Sequence, residues 1–483
     1  MNRNHLLISK YSWLILLLFL GACKIPKVVQ LPSLTQPIPV SFQHTTADTQ
    51  SIAQVPWQAF YTDTPLRKLI DTALVHNYDL ANNRQTLLIQ QAQLQVAKAL
   101  THPTLRGVLS TQVDKFALYT MNGVGNFDLN KSSNITPDKR LAEFLPNLFI
   151  GLRSEWEIDV WKKLHHAKKS AAAQYLASQW GARLLQTHLV AQIANCYYEW
   201  LGLKNELQVI QQNAVLQQNA LQIVQAQKQA GRANELAVLQ FQAQLHNTNS
   251  LVEQVKQQVV IAENQLQLLL GTSRITNLPT NNFTLSFTNR PMPVGVPSML
   301  LYNRPDIQQA GAQLTATHAD VAAARARFFP SFSISPYLGV EGFQIKELLS
   351  LPSLAAGVLG NMTAPFYQQR QLKGQYATQQ ALAEQAFVHY QRTVQTAINE
   401  VQTTLQVVQL LEQQHAQKQQ ECNKLADAVN AANDLYANGY ATYLEVITAQ
   451  KSLLNAQLER IQIKKQQMQG LVLLYRATGG GWK

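Results

Sequence analysis

The sequence has few charged side chains and few cysteines for its length. Asp, Glu, Lys and Arg make up 14% of the 483 residues, against about 25% in typical soluble domains. No CxxC motif, HExxH motif or Cys/His cluster occurs, so the patterns that form zinc and redox sites are missing. Cys196 and Cys422 each lie in a helical pattern, which favours two buried free thiols over the disulfide that an oxidising compartment would permit. We therefore expect neither a metal nor any other cofactor.

The sequence also lacks a concentrated run of basic residues. Lys and Arg number 40 and Asp and Glu number 28, for a formal net charge of +12. The basic residues are scattered along the chain, whereas nucleic-acid-binding proteins concentrate them in a patch or stripe. The composition therefore argues against nucleic acid as a partner.

No hydrophobic run is long enough to form a transmembrane helix. The one short run, Trp13–Leu20, follows Arg3 and Lys10. It spans about eight residues, whereas a spanning helix needs about 20, and this layout is typical of a secretory signal. We predict a signal peptide at residues 1–22, removed on export, rather than a membrane anchor.

Cys23 stands directly after this leader. The sequence Leu20-Gly21-Ala22-Cys23 resembles the lipobox of bacterial lipoproteins. The resemblance implies that Cys23 is acylated, with palmitate among its chains, and becomes the new N-terminus. Lys24 occupies the next position, where an aspartate would indicate retention at the inner membrane, so outer-membrane localisation is favoured.

The chain is an internal duplication. Asp79–Pro103 aligns without a gap on Asp306–Pro330 at an offset of 227 residues, and Gly231–Ala233 aligns on Gly439–Ala441 at an offset of 208. Repeats of this length indicate two copies of one unit. We place a lipid-anchored segment at 23–60, repeat 1 at 61–271, a linker at 272–297 and repeat 2 at 298–483. The offsets differ by 19 residues, and we assign this surplus to repeat 1 at 114–138, where Asn122-Gly123 and Gly125-Asn126 predict turns.

The sequence pattern of each repeat predicts three helices. Residues 162–230 form a stretch rich in Ala, Gln and Leu with apolar residues at steps of three and four, which predicts one long helix. Gly231 ends it, and a second helix runs to Leu270. Residues 63–101 predict one further helix before the strands. Repeat 2 follows the same plan, with a long helix at 370–438, a break at Gly439 and a helix that reaches Thr478.

After Pro103 and after Pro330, apolar and polar residues alternate with a period of two. This pattern predicts a β-hairpin at about 104–160 in repeat 1 and another at about 331–366 in repeat 2. The apolar positions are Leu148, Ile150, Leu152 and Trp156, then Phe332, Ile334, Leu338 and Val340, then Leu354, Ala356, Val358 and Met362. Such strands suit a membrane barrel or a small soluble sheet equally. Four strands cannot close a barrel, since the smallest have about eight, whereas three chains would supply twelve and leave a lumen.

The whole mature chain resembles the outer-membrane efflux protein family, the TolC-like channels, and within it the lipoprotein branch that serves resistance-nodulation-division (RND) multidrug pumps. Four motifs carry the resemblance: Asn303–Ile307, Ala324–Pro330, Trp156–Asp159 and Thr478–Trp482. It implies a mainly α fold with membrane β strands, a homotrimeric TolC-like α/β-barrel in which each chain repeats the order helix, β-hairpin, long helix, helix. It also implies a periplasmic adaptor protein and an inner-membrane transporter as partners.

The resemblance further implies roles for the two helix breaks. Residues corresponding to Gly231, Arg232, Ala233, Gly439, Tyr440 and Ala441 form the periplasmic tips that meet the adaptor, and the duct closes above them. Tyr436 keeps an aromatic three residues before the second break, and Glu445 stands where the family places an acidic residue facing the lumen; a solvated surface glutamate is the alternative. Ala441 and Ala237 replace a basic and an acidic residue, so the salt bridge of the best-known closing network is not expected.

The sequence leaves three functional classes to distinguish. A passive exit duct in a multidrug efflux system fits the pattern best. An enzyme is not expected, because no nucleophile elbow or carboxylate pair is found and Gly479–Gly481 is followed only by Trp482 and Lys483, so it is not a phosphate loop. The third class is a structural coiled-coil spacer. For the duct itself, type I protein secretion and metal efflux remain alternatives.

Overall fold

A computed structural model describes residues 39–42, 50–137, 140, 143–275, 278, 293–365 and 368–483. Cys23 and the predicted signal peptide lie outside these residues. The chain divides into two compact units. The first contains Gln90–Gln174 and Leu314–Ala386, and the second contains the described parts of Pro32–Ile89, Tyr175–Gln313 and Phe387–Lys483. Within the described residues, no helix has the length and the apolar content needed to cross a membrane.

The first unit is built on a four-stranded antiparallel sheet. Its strands are β1 (Thr104–Asp114), β2 (Leu145–Ile158), β3 (Ser331–Gly342) and β4 (Leu354–Thr363), paired in sequence order. Leu109 lies opposite Ile150, which lies opposite Val340, which lies opposite Leu354. Because side chains alternate between faces, this register places apolar residues of all four strands on one face. Leu109, Ile150 and Leu354 are 75%, 47% and 62% exposed, so this face is uncovered in the single chain.

The two hairpins differ in the connection between their strands. The first connection runs from residue 115 to 144 and the second from 343 to 353. This 19-residue difference equals the difference between the repeat offsets, so the predicted position of the surplus is confirmed. The predicted turns at residues 122–126 are wrong, because helix α3 (Met121–Lys131) occupies them. The Thr120 hydroxyl accepts a hydrogen bond from the Gly123 N–H at 3.1 Å, which caps this helix at its N-terminus.

The segment predicted as one helix at 63–101 is two helices, α1 (Thr64–His76) and α2 (Tyr78–Ala99). Asn77 separates them and adopts extended backbone angles. Its side-chain Nδ2 donates to the Leu269 carbonyl at 2.9 Å, and its Oδ1 accepts from the Leu80 N–H at 3.0 Å. The break is therefore stabilised by a contact with a residue 192 positions away, which no local pattern could reveal.

The remaining helices follow the predicted plan. They are α4 (Lys163–Gln229), α5 (Glu235–Leu270), α6 (Pro305–Ala326), α7 (Gln369–Ala437) and α8 (Tyr443–Ala477). The two long helices contain 67 and 69 residues. These bounds confirm the helices predicted on either side of Gly231 and Gly439.

The core of the second unit lies where helices of both repeats meet the segment before α1. Phe60 stacks on Tyr475 with ring centroids 3.9 Å apart, and the Tyr475 hydroxyl donates to the Val55 carbonyl at 2.6 Å. The Ile52 N–H donates to the Pro293 carbonyl at 2.9 Å, so the start of this segment is also tied to the chain that precedes repeat 2. Cys196 and Cys422 are free thiols, as predicted; Cys422 is buried, whereas Cys196 is only half-buried. Partial burial raises the pKa of Cys196 to about 11.

Candidate gate and helix tips

The tip of repeat 1 is a tight turn between α4 and α5. Gly231 has a left-handed φ of 73°, a conformation that glycine adopts without steric cost. The Arg232 N–H donates to the Gln227 carbonyl at 2.8 Å, which is the hydrogen bond that closes a Schellman turn. On the far side, the Asn234 side chain accepts from the Ala237 N–H at 2.9 Å and caps α5. Lys228 and Glu235 form a salt bridge across the turn.

The tip of repeat 2 has the same construction. Gly439 has a φ of 79°, and the Tyr440 N–H donates to the Leu435 carbonyl at 2.9 Å. Thr442 caps α8. Gly231, Arg232, Gly439 and Tyr440 are exposed, whereas Ala233 and Ala441 are half-buried. The tips therefore present glycine backbone and two large side chains, Arg232 and Tyr440, to solvent, and Tyr440 is 83% exposed.

Glu445 belongs to the capping box of α8. Its carboxylate accepts hydrogen bonds from the Thr442 N–H at 2.9 Å and from the Thr442 hydroxyl. The Thr442 hydroxyl bond lowers the pKa of Glu445 below its ordinary value. The side chain is exposed in the single chain. A capping role explains why an acidic residue stands at this position whether or not it also faces a lumen.

Tyr436 connects the two repeats just inside the tips. Its hydroxyl donates to Oε1 of Gln227 at 2.6 Å, across 209 residues of sequence. The ring is half-buried against a small apolar cluster of Leu221, Val224, Ala237, Val238, Phe241 and Val446. Burial raises the pKa of Tyr436, so the hydroxyl stays protonated and donates at any physiological pH.

Gln227 was not singled out by the sequence. It lies four residues before Gly231 in a helix already rich in glutamine, so neither its type nor its position distinguishes it. Ala237, which replaces the acidic residue of the best-known closing network, is buried within the cluster. At this level the two repeats are joined by the neutral hydrogen bond between Tyr436 and Gln227.

A second polar centre lies on the Asn303–Ile307 motif. Arg304 is buried; its Nη2 donates to Asp306 at 2.6 Å, and its Nη1 donates to Glu400 at 2.8 Å and to the Ala477 carbonyl at 2.9 Å. Burial acts to lower the pKa of Arg304, but the hydrogen bonds and charges of Asp306 and Glu400 outweigh it and raise the pKa. The guanidinium thus stays charged and ties α6 to α7 and to the end of α8.

The C-terminal residues dock on the same motif. Nε1 of Trp482 donates to the Asn303 carbonyl at 3.1 Å, and Arg183 lies over the rings of both Trp180 and Trp482. A Cβ added at Gly479 would lie 2.6 Å from the Asn303 carbonyl oxygen, so only glycine fits this approach. The triple glycine therefore has a packing function, which gives a physical reason for its place in the motif.

The chain combines an open antiparallel sheet that has an uncovered apolar face with two helix pairs, α4–α5 and α7–α8, each joined by a tight tip. The family model described as outer membrane efflux protein matches residues 69–272 and 296–480. The chain belongs to this family, which consists of outer-membrane channel proteins.

Relatives and solved structures agree with this assignment. The chain is 26% identical over 426 residues to the cation efflux system protein CusC of Escherichia coli K12, covering 88% of each chain. It is 27% identical over 477 residues to the outer membrane protein OprJ of Pseudomonas aeruginosa, covering 98% of this chain and 95% of OprJ. A crystal structure of CusC matches with a TM-score of 0.81 and 25% identity, covering 95% of this chain and all of that one.

Proposed function

We propose that three copies of this chain form one passive duct through the outer membrane, anchored additionally by acylated Cys23. The observation that carries the proposal is the open sheet. Within the described residues, β1 pairs only with β2 and β4 only with β3, so both edges are free to pair with other chains. A closed ring removes such edges, and three chains would give twelve strands around a lumen.

The tips are proposed to be the docking and closing end of the duct. Exposed Gly231, Arg232, Gly439 and Tyr440, together with Ala233 and Ala441, would contact a periplasmic adaptor, and the Tyr436–Gln227 hydrogen bond would hold the closed state. An adaptor that straightens the tips would break this bond and open the duct. Glu445 is proposed to recur three times around the pore, where a ring of carboxylates attracts cations.

The cargo is proposed to be drugs or other small molecules that an RND-type inner-membrane transporter delivers. Metal cations are the second candidate, because CusC is named for cation efflux. Expressing the chain in a strain that lacks its own efflux channels, with one drug pump and adaptor or one cation pump and adaptor, separates the two. Restored resistance to drugs alone supports the first candidate, and restored resistance to metal cations alone supports the second.

The oligomeric state is tested on purified protein in mild detergent. Native mass spectrometry should give a mass of three chains, and planar bilayers should show discrete conductance steps. A dimer, or a trimer that never conducts, would contradict the proposal.

A further inference from the structure

Basic side chains that are scattered in the sequence gather at one end of the sheet. Thr104 pairs with Glu155 near the end of β2, Ile158 pairs with Phe332, and Ser331 pairs with Thr363. All four strands therefore join their helices at this end, and neighbouring strands lie about 5 Å apart. Nine basic residues lie at these helix ends: in the last turn of α2, in or just before the first turns of α4, at or just after the end of α6, and at the start of α7. We call them the basic belt: Lys98, Lys162, Lys163, Lys168, Lys169, Arg325, Arg327, Arg370 and Lys373.

The carboxylates at this end leave most of the belt unpaired. Asp159 accepts from the Leu164 and His165 N–H groups at 3.1 and 2.7 Å, so it caps α4. Asp320 accepts a hydrogen bond from Ser170, and Glu157 pairs with Lys163. Seven belt residues form no salt bridge with any residue that the structure describes: Lys98, Lys162, Lys168, Lys169, Arg327, Arg370 and Lys373.

Helix stability does not explain this placement. Neither α4 nor α7 has an acidic residue in its first turn, and both carry several cations near their N-termini. The helix dipole is positive at that end and disfavours cations there. Asp159 supplies one carboxylate at the start of α4, and an external anion would offset the repulsion that remains.

The apolar face of the sheet indicates where that anion comes from. Trp156 lies on this face with Leu152 and Ile150, is 39% exposed, and donates its Nε1 to the Thr101 carbonyl at 3.4 Å, one helical turn from Lys98. Trp161 stacks on Phe329 at 4.5 Å and is 41% exposed. Tryptophan is enriched where the hydrocarbon of a bilayer meets its headgroups. Along the sheet, apolar side chains are followed by tryptophans and then by the belt, which is the polarity profile of one lipid leaflet.

We propose that the basic belt binds the phosphate groups of anionic phospholipids in the leaflet next to the helices. The proposal deepens the outer-membrane function and rests on the sheet lying in the bilayer. Each juxtamembrane Lys or Arg raises the affinity for anionic lipid about fivefold. The belt would therefore select anionic lipid around the channel and fix its depth in the membrane.

The test replaces four exposed belt lysines and compares the lipid retained. The belt variant carries Lys98→Gln, Lys162→Gln, Lys169→Gln and Lys373→Gln. The matched control carries Lys68→Gln, Lys256→Gln, Lys424→Gln and Lys451→Gln, which remove the same charge from exposed positions of the second unit. Each protein is purified in mixed micelles of phosphatidylglycerol and phosphatidylcholine, and bound lipid is counted by native mass spectrometry.

The wild type and the control should bind phosphatidylglycerol in preference to phosphatidylcholine. In the belt variant this preference should fall at least about tenfold. Added salt should weaken the wild-type preference as it screens the charges. An unchanged preference in the belt variant, or no preference in the wild type, would overturn the proposal. So would a changed anion permeability with unchanged lipid binding, because the lysines would then face the lumen.

Two further measurements keep the result interpretable. If the fourfold variant does not assemble, the pair Lys162→Gln, just before α4, and Lys169→Gln, near its start, should still lower the preference in proportion. Efflux by the wild-type chain is measured separately in cells. Loss of efflux with intact lipid preference would count against the proposed duct, whereas intact efflux with no lipid preference counts against the belt alone.

Discussion

Removal of one hydroxyl at Tyr436 is expected to loosen the closed state of the duct. The Tyr436→Phe variant keeps the half-buried ring but deletes the 2.6 Å hydrogen bond to Gln227. A neutral hydrogen bond contributes about 0.5–1.5 kcal/mol net, and concerted opening of a trimer would break three. We take the lower value because Gln227 is only half-buried. The closed state should then be weakened by about 1.5 kcal/mol, or roughly tenfold in the equilibrium between closed and open channels.

Single-channel recording in planar bilayers measures this shift as a rise in open probability. Tyr440→Phe is the matched control, because it deletes the same hydroxyl four residues away from a ring that is 83% exposed. Gln227→Met should reproduce the effect of Tyr436→Phe, and the double variant should be no more open than either single variant. An open probability equal to wild type in correctly assembled Tyr436→Phe trimers would refute the reasoning. The gate would then lie elsewhere.

Further outcomes are expected at four other positions. Glu445→Gln should leave assembly intact and weaken block of the current by multivalent cations added at the tips, since fewer charges face the pore; unchanged block would place Glu445 outside the lumen. Arg304→Met should lower the free energy of unfolding by about 3 kcal/mol, because Asp306 and Glu400 lose their buried counter-charge; an unchanged midpoint in a thermal melt would show that this centre does not stabilise the fold. Cys23→Ser should abolish palmitate labelling but preserve trimers in the membrane fraction, and a fully soluble variant would contradict a membrane-embedded sheet. An epitope tag at Gly125 should be accessible on intact cells with efflux retained, whereas a tag detected only after the outer membrane is opened would reverse the topology.

The sequence by itself determined the features that local periodicity records. The offset between the repeats predicted that two copies of one unit follow each other and where the longer connection lies. Steps of three and four residues predicted the long helices to within a few residues, and the period of two predicted which strand residues share the apolar face. These signals are strong because each depends on neighbours within about a dozen positions. The family resemblance rested on short motifs that the structure shows to be packing sites, such as Arg304 and Trp482.

Only the tertiary structure decided which distant residues meet. Asn77 interrupts a helix because Leu269 lies beside it, and Gln227 became a gate candidate because Tyr436 reaches it from the other repeat. The basic belt cannot be seen in the sequence, where its members are spread over residues 98–373. It forms because antiparallel pairing brings all four helix ends to the same end of the sheet. Hydrogen bonds and charge clusters of this kind depend on distance in space, which a linear pattern does not encode until the chain has folded.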